Sequence, residues 1–319
     1  MTRFDVTTFG EGQLRYSVPA GTRIEQAKNF DVNITGTEAN VTSLVSRLGW
    51  RCGWVTGLPA SPLGQRVANE YGMSGLDMSA VVWRDNGRLA TYYVEYGLPP
   101  RGTQVYYDRK HTVFTGLTPD DIDWDYLLDT RLLHLSGLTV PLSNSVNEII
   151  NEAVSRAKAR NIPVSFDMNY RSRIWTTEEA AAAVEPIIRQ VDVLFFARGD
   201  ATRMYGFSQE PQKLIEQLAT LTDAGFIVAS LSKDGIIAWD RESYYHEPSL
   251  QIEVIDRIGA GDAMVAGVLH GWLQGDYAKA LRYGVTTAAL ALTHYGDPVL
   301  VNRHELEHLL NNSNRDINR

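Results

Sequence analysis

The run Asp256-Arg257-Ile258-Gly259-Ala260-Gly261-Asp262 sets three small residues directly before a carboxylate, and an apolar segment, AMVAGVLHGWLQ, follows at once. Small turn residues before a helix start present unpaired backbone N–H groups and the positive end of the helix dipole. Such a turn holds a phosphate and stabilises the charge of a phosphoryl group in transfer. A carboxylate beside it accepts the proton of an attacking hydroxyl. Asp262 is therefore the candidate catalytic base, and Gly259, Ala260 and Gly261 are the candidate anion-binding turn. The dipole is expected to keep Asp262 ionised. The same residues also read as a tight turn whose aspartate caps its helix. The Walker pattern ending in Gly-Lys-Ser/Thr is absent.

Elements able to position this turn follow one another from about Leu132. LLHLSG (132–137), IPVSFDMN, DVLFFA and FIVASLS read as buried strands. Between them lie SNSVNEIINEAVSRAKAR, with Val146, Ile149, Ile150, Ala153 and Val154 at helical spacing, then TTEEAAAAVEPIIRQ and PQKLIEQLATLTDAG. Thr176 or Thr177 is placed to cap the second of these helices. The alternation implies a mostly parallel sheet covered by helices on both faces. The stretch from Val81 to Phe114 differs. AVVWR, LATYYVEY and TQVYYDR are short runs rich in aromatic and β-branched residues, broken by turn signals. They predict a small β-sheet standing on the α/β body, suited to act as a lid.

Of the 319 residues 44% are hydrophobic, which suffices for a sizeable core, and the net charge of -8 gives no general attraction to nucleic acid or anionic membranes. An anionic substrate would need particular arginines. The one cysteine, Cys52, excludes an intrachain disulfide. The N-terminal run lacks the apolar core of a signal peptide, and no stretch matches a membrane helix. A cytoplasmic, soluble protein is expected. His304-Glu305-Leu306-Glu307-His308 matches a zinc-protease pattern, yet it lies in a polar C-terminal run with no evident third ligand, and reads as an amphipathic helix.

The segment 256–263 resembles the C-terminal signature of the PfkB (ribokinase-like) carbohydrate kinases, in which the GAGD glycines form the anion hole and the aspartate is the base. ITGTEANVTSLVSRLGW (34–50) is similar to the N-terminal signature of that family, with Thr35 in place of its first glycine and with Gly36 and Asn40 retained. Three passages resemble the 2-keto-3-deoxygluconate kinase branch: Phe9-Gly10-Glu11 with Leu14-Arg15; Tyr92-Tyr93-x-Glu95 with Pro100-Arg101 and Tyr107-Asp108-Arg109; and Phe166-Asp167-x-Asn169-Tyr170-Arg171-x-x-x-Trp175.

The resemblance covers nearly the whole chain. It implies one α/β domain over 1–319, a three-layer α/β/α body with a mostly parallel sheet. A β-lid would come from about 11–36 and 78–115, and a nucleotide-binding half from about 190–319. By the same resemblance Gly36, Asn40, Tyr93, Tyr107, Arg109, Leu138, Arg171 and Asp297 would meet the sugar. Ser230, Ser232 and Gly235 would contact ATP, along with Gly259 and Gly261. Arginines suit a sugar acid, because a guanidinium matches a carboxylate with charge-assisted hydrogen bonds.

ATP and Mg2+ are the implied cofactors. Where the branch usually has Asn-x-x-Glu, this chain has Ala197 and Asp200, so Asp200 would reach magnesium through water. Ser232 replaces a glycine of the ATP-contacting strand turn. Some relatives bind K+ through Asp256 and the next residues; Arg257 and Ile258 stand here for small threonines. That leaves open whether carbonyls hold an ion or Arg257 supplies the charge. The expected activity is ATP-dependent phosphorylation of 2-keto-3-deoxygluconate, by an enzyme that pairs its lids in a homodimer or higher homo-oligomer. Its rivals are a kinase for fructose or 2-keto-3-deoxygalactonate, and a sugar-binding protein that has lost catalysis.

Overall fold

The structure, a computed structural model, describes residues 2–311. The ends of the expected 1–319 domain, including 312–319 of its nucleotide half, lie outside the described residues. The first half contains β1 (Val6–Phe9), β2 (Gln13–Val18), β3 (Asp31–Thr35), α1 (Thr37–Arg47), β4 (Cys52–Pro59), α2 (Pro62–Gly72), β5 (Val81–Arg84), β6 (Ala90–Glu95), β7 (Gln104–Asp108), α3 (Trp124–Leu128), β8 (Leu133–Ser136) and α4 (Asn144–Ala159). The second contains β9 (Val164–Asp167), α5 (Thr177–Ile188), β10 (Val193–Ala197), α6 (Arg198–Tyr205), α7 (Pro211–Leu218), β11 (Phe226–Ser230), β12 (Ile236–Trp239), β13 (Tyr244–Glu247), α8 (Ala260–Gln274), α9 (Tyr277–Leu292) and α10 (Arg303–Asn311).

Nine strands form the central sheet in the order β13-β12-β11-β10-β9-β8-β1-β4-β5. All neighbours from β11 to β5 are parallel, and β12 and β13 add an antiparallel edge. The apolar runs form strands buried on both faces because successive side chains feed opposite layers. Val193 and Phe195 join the core under α1, α8 and α9, while Leu194 and Phe196 join the core under α4, α5 and α7. Helix α5 begins as its sequence dictates, with Thr176 and Glu179 forming a reciprocal cap. Helix α7 is shorter than its apolar pattern. It stops at Leu218, where Leu221 N–H turns back to the Leu218 carbonyl.

A second sheet, ordered β3-β2-β6-β7, stands apart as the lid. Its strands include those of LATYYVEY and TQVYYDR but not AVVWR. Val81–Arg84 instead pairs in parallel with β4, Thr56 opposite Val81, and closes the edge of the main sheet. The reason is topological: β4, α2 and β5 make one crossover unit, which returns the chain to the sheet it left. Among the described residues no helix is long and apolar enough to cross a membrane.

Candidate active site

Helix α8 starts at the expected turn. Gly259 is its N-cap with φ 88°, and a Cβ there would lie 2.8 Å from the Asp297 carbonyl oxygen, so both backbone and space demand glycine. Ala260 and Gly261 open the first helical turn, leaving their N–H groups without helical partners. Asp262 is held from α1, which packs on α8. Thr37 Oγ1 donates to Asp262 Oδ1, and Asn40 Nδ2 donates to Asp262 Oδ2 at 2.7 Å. Thr37 itself accepts from Asn169 Nδ2 at 2.8 Å, and Asn40 Oδ1 accepts from the Tyr71 hydroxyl at 2.6 Å. The carboxylate is thus fixed by a chain of neutral groups.

Burial dominates the electrostatics here. It pushes Asp262 up to about 6, against the hydrogen bonds from Thr37 and Asn40. With its carboxyl at about 6, Asp262 remains mostly ionised near neutral pH but protonates in mild acid. Burial, together with the charge of Asp262, raises Asp167 to about 7, and burial raises Glu38 to about 8.

A cavity of about 470 Å3 opens over this turn. Its lining includes Asp262, Gly259, Gly261, Tyr107, Arg109, Leu138, Arg171, Asp297, Asp200 and Ser230, so most of the expected site residues converge. Gly36 and Asn40 do not line it. Gly36 sits where a Cβ would come 2.6 Å from the Glu11 carbonyl oxygen, so its smallness lets α1 start against the segment between β1 and β2 while its neighbours Thr35 and Thr37 line the cavity. Asn40 acts on Asp262 instead.

Tyr93 is on the wrong side of the lid. In the lid register Arg15 is opposite Tyr92, and Tyr92 is opposite Tyr107, while Tyr16, Tyr93 and Tyr106 align on the other face. Tyr92 lines the cavity; Tyr93 stacks on Tyr16 and meets Phe30 edge-on outside it. Strand alternation allows only one of two adjacent tyrosines to face inward, and the register selects Tyr92.

The lid end of the cavity is dense in buried charge. Arg109 Nε pairs with Glu11 Oε2 at 2.7 Å, and Thr112 donates to Glu11 Oε1. Asp108 does not take part, being paired with Arg88. The Arg109 Nη1 and the Gln13 Oε1 are buried with no hydrogen-bond partner, and both residues line the cavity. Orphaned groups of this kind are costly unless a ligand satisfies them. Arg171, exposed at the rim, donates to the Tyr170 carbonyl at 3.0 Å and has no carboxylate partner among the described residues. Asp297 accepts from Arg15 at 2.5 Å, Thr35 at 2.6 Å and Tyr92 at 3.0 Å, which ties the Gly259 turn to three lid strands.

The other end of the cavity lies beyond the carboxyl edges of β10 and β11. Ala197, Asp200 and Ser230 line it. Asp200 Oδ1 accepts from Arg203 at 3.1 Å, and burial raises its carboxyl above the ordinary range. Ser232 (φ 60°) and Gly235 (φ 95°) shape the turn after β11 but do not line the cavity. Among the described residues no group of three or more His, Cys, Asp or Glu could hold a metal. His304 and His308 lie on α10, where the intervening Glu307 is bonded to Lys279 and Tyr283.

Sequence reasoning missed Gln13, Thr35, Thr37, Tyr92 and Asn169 as lining groups, and gave Arg15 no role. The two-residue period of β2 and β6 was the available signal for Gln13 and Tyr92.

An open α/β body with a β-lid, and a glycine turn and carboxylate at a helix start beneath it, together define a sugar-kinase architecture. Residues 11–299 match the pfkB family carbohydrate kinases, and the chain belongs to that family. It is 35% identical over 316 residues, 99% of both chains, to a 2-dehydro-3-deoxygalactonokinase of Haloferax volcanii. It is 27% identical over 287 residues, 88% of this chain and 86% of the relative, to a 2-dehydro-3-deoxygluconokinase of Thermoproteus tenax. The crystal structure of 2-dehydro-3-deoxygluconokinase from Thermotoga maritima superposes with a TM-score of 0.91 at 30% identity, covering 97% of this chain and all of that one.

Proposed function

We propose that this carbohydrate kinase transfers the γ-phosphoryl group of ATP to the primary hydroxyl of a 2-keto-3-deoxy sugar acid, 2-keto-3-deoxygluconate first, giving its 6-phosphate. The observation that carries the acid is Arg109. Its Nε is fixed by Glu11, while its Nη1 is buried, unpartnered and on a residue lining the cavity that holds Asp262. A carboxylate satisfies that donor with a charge-assisted bond. Gln13 Oε1, buried without a partner in the same lining, would accept from a substrate hydroxyl. Arg171 adds positive charge at the rim, Leu138 an apolar wall, and Tyr107 a lid contact.

In this reading the Asp262 carboxylate takes the proton of the attacking hydroxyl as its oxygen bonds to the γ-phosphorus. The bond from that phosphorus to the bridging oxygen breaks, and ADP leaves with the electron pair. The N–H groups of the Gly259–Gly261 turn stabilise the equatorial charge. Magnesium, when bound with the phosphates, would neutralise their charge. Asp200, with one oxygen free of Arg203, fits a water-mediated contact to it. Ser230 and the turn through Ser232 and Gly235 would border the nucleotide.

The reading includes a cytoplasmic enzyme and a homo-oligomer, the latter supported by the aromatic outer lid face of Tyr16, Phe30 and Tyr93. A single-chain mass in light scattering at micromolar concentration would contradict the oligomer. The galactonate epimer is the second reading, favoured by the Haloferax relative. ADP release with MgATP and 2-keto-3-deoxygluconate, 2-keto-3-deoxygalactonate, gluconate, fructose and ribose tests the whole. Selective turnover of a keto-deoxy acid supports the proposal. Turnover of a neutral sugar removes the acid, and binding without turnover under any nucleotide removes the kinase reaction.

A further inference from the structure

We propose that Arg15 is the positioning residue of the Gly259 turn, a fixed guanidinium standing in place of a bound monovalent cation, so that phosphoryl transfer by this protein is independent of potassium. The proposal rests on the kinase reading above. The Arg15 side chain is 0% exposed, and its two carboxylate partners, Asp256 and Asp297, are 1% and 3% exposed. Both residues also touch the catalytic turn. Asp256 Oδ1 accepts the Ile258 N–H at 3.1 Å, one residue before Gly259. The Asp297 backbone lies directly against Gly259, where an added Cβ would come 3.0 Å from the Asp297 Cα. One guanidinium therefore holds both supports of the anion hole.

The same contacts fill the Asp256 oxygen that faces Arg15 and leave its other oxygen with one N–H partner. Oδ2 is committed to Arg15 and to the Tyr96 hydroxyl, and Oδ1 to the Ile258 N–H. A cation bound at Oδ2 would meet a guanidinium on the same oxygen, in a dry site where like-charge repulsion is strong. Arg257 does not replace it, because its side chain is exposed at the cavity rim. Arg15 also comes from the lid. Its strand, together with Thr35 of β3 and Tyr92 of β6, bonds to Asp297, so lid and turn are held as one unit. A neutral replacement would leave two buried carboxylates facing each other, which is the arrangement that recruits a cation.

The test uses the full chain and rising KCl in tetramethylammonium buffer. The expected response of kcat is flat, and steep saturable activation by potassium would overturn the proposal. Arg15→Met should lower kcat about 100-fold, the scale of losing an oxyanion donor. Its sugar KM should change little, and potassium or free guanidinium should restore part of the rate. A loss shared by kcat and KM that no cation rescues would mean a merely structural role. Should Arg15→Met fail to fold, Arg15→Lys keeps the charge and must keep the flat potassium response. A further readout needs no sugar: the affinity for MgADP with aluminium fluoride, a mimic of the phosphoryl group in flight. It should weaken in Arg15→Met more than the affinity for MgADP alone, and recover with potassium. If that holds while no sugar acid is phosphorylated, the substrate assignment fails and Arg15 stands. If the acid turns over but potassium is required, Arg15 fails and the substrate stands.

Discussion

At the lid end of the cavity the charges are buried and already paired: Arg15 with Asp256 and Asp297, and Arg109 with Glu11. At the end bounded by β10 and β11 the acid is Asp200, largely buried but paired only with the exposed Arg203. A desolvated charge discriminates strongly, because leaving it unpaired costs much of its hydrogen-bond energy. A site bordered by turns tolerates side-chain changes as long as the backbone path is kept. Ala197 and Ser232 fall at the open end, whereas at the lid end Thr35 is the departure, and the buried ion pairs there leave Arg109 Nη1 and Gln13 Oε1 without partners. In the proposed reading, side chains would recognise the sugar and main chain more of the nucleotide.

The sharpest way to break this comparison is at the group both ends share. Asp262→Asn should lower kcat by about 10²–10⁴-fold while sparing sugar and nucleotide binding, as measured by turnover and calorimetry. The same substitution should raise the melting temperature at pH 8. The sign follows from burial: the Asp262 carboxyl stands at about 6 in the folded protein against 3.8 for an ordinary aspartate, so the folded state binds more protons between those values. Stability is then lost as pH rises through that window, and removing the charge recovers it. The gain should shrink toward pH 4. In the wild type, kcat/KM should fall about tenfold per unit below pH 6, the value near which Asp262 protonates.

Arg109→Met comes next in size. It should raise KM for a sugar acid by about 10- to 100-fold, the worth of a charged hydrogen bond, and leave KM for ATP unchanged. A smaller effect separates the two lid faces. Tyr92→Phe removes the donor to Asp297 and should cost about 1 kcal/mol of stability along with a loss in kcat. Tyr93→Ala should leave the kinetics alone and alter only the mass in light scattering. Smallest is Ser232→Gly at the open end. With φ 60° the serine sits in the left-handed region, so glycine should add up to about 1 kcal/mol in denaturant titration without moving either KM.

Much of the body was legible because its signals are local. LLHLSG, IPVSFDMN, DVLFFA and FIVASLS are apolar runs of strand length, and each became a central strand. The GAGD turn was legible for the same reason, since glycine, helix start and carboxylate are contiguous. What escaped the sequence depends on partners far along the chain. Val81–Arg84 looks like its lid neighbours in composition, but the crossover from β4 decides its sheet. Tyr92 and Tyr93 are indistinguishable until the register with Arg15 is known. Arg15 finds its carboxylates 241 and 282 residues away, a distance no motif spans. The upward pull of burial on Asp262 also escaped, because a dipole is visible in a sequence and desolvation is not.

The most direct test of the account compares an acid with a neutral sugar in wild type and in Arg109→Met. ADP release would be followed with 2-keto-3-deoxygluconate and with fructose under the same MgATP. A strong preference for the acid in wild type that collapses in the variant, with kcat for the acid largely retained at saturation, is the predicted result. An equal preference in both proteins, or faster turnover of the neutral sugar by wild type, would contradict the claim that buried arginine selects a carboxylate.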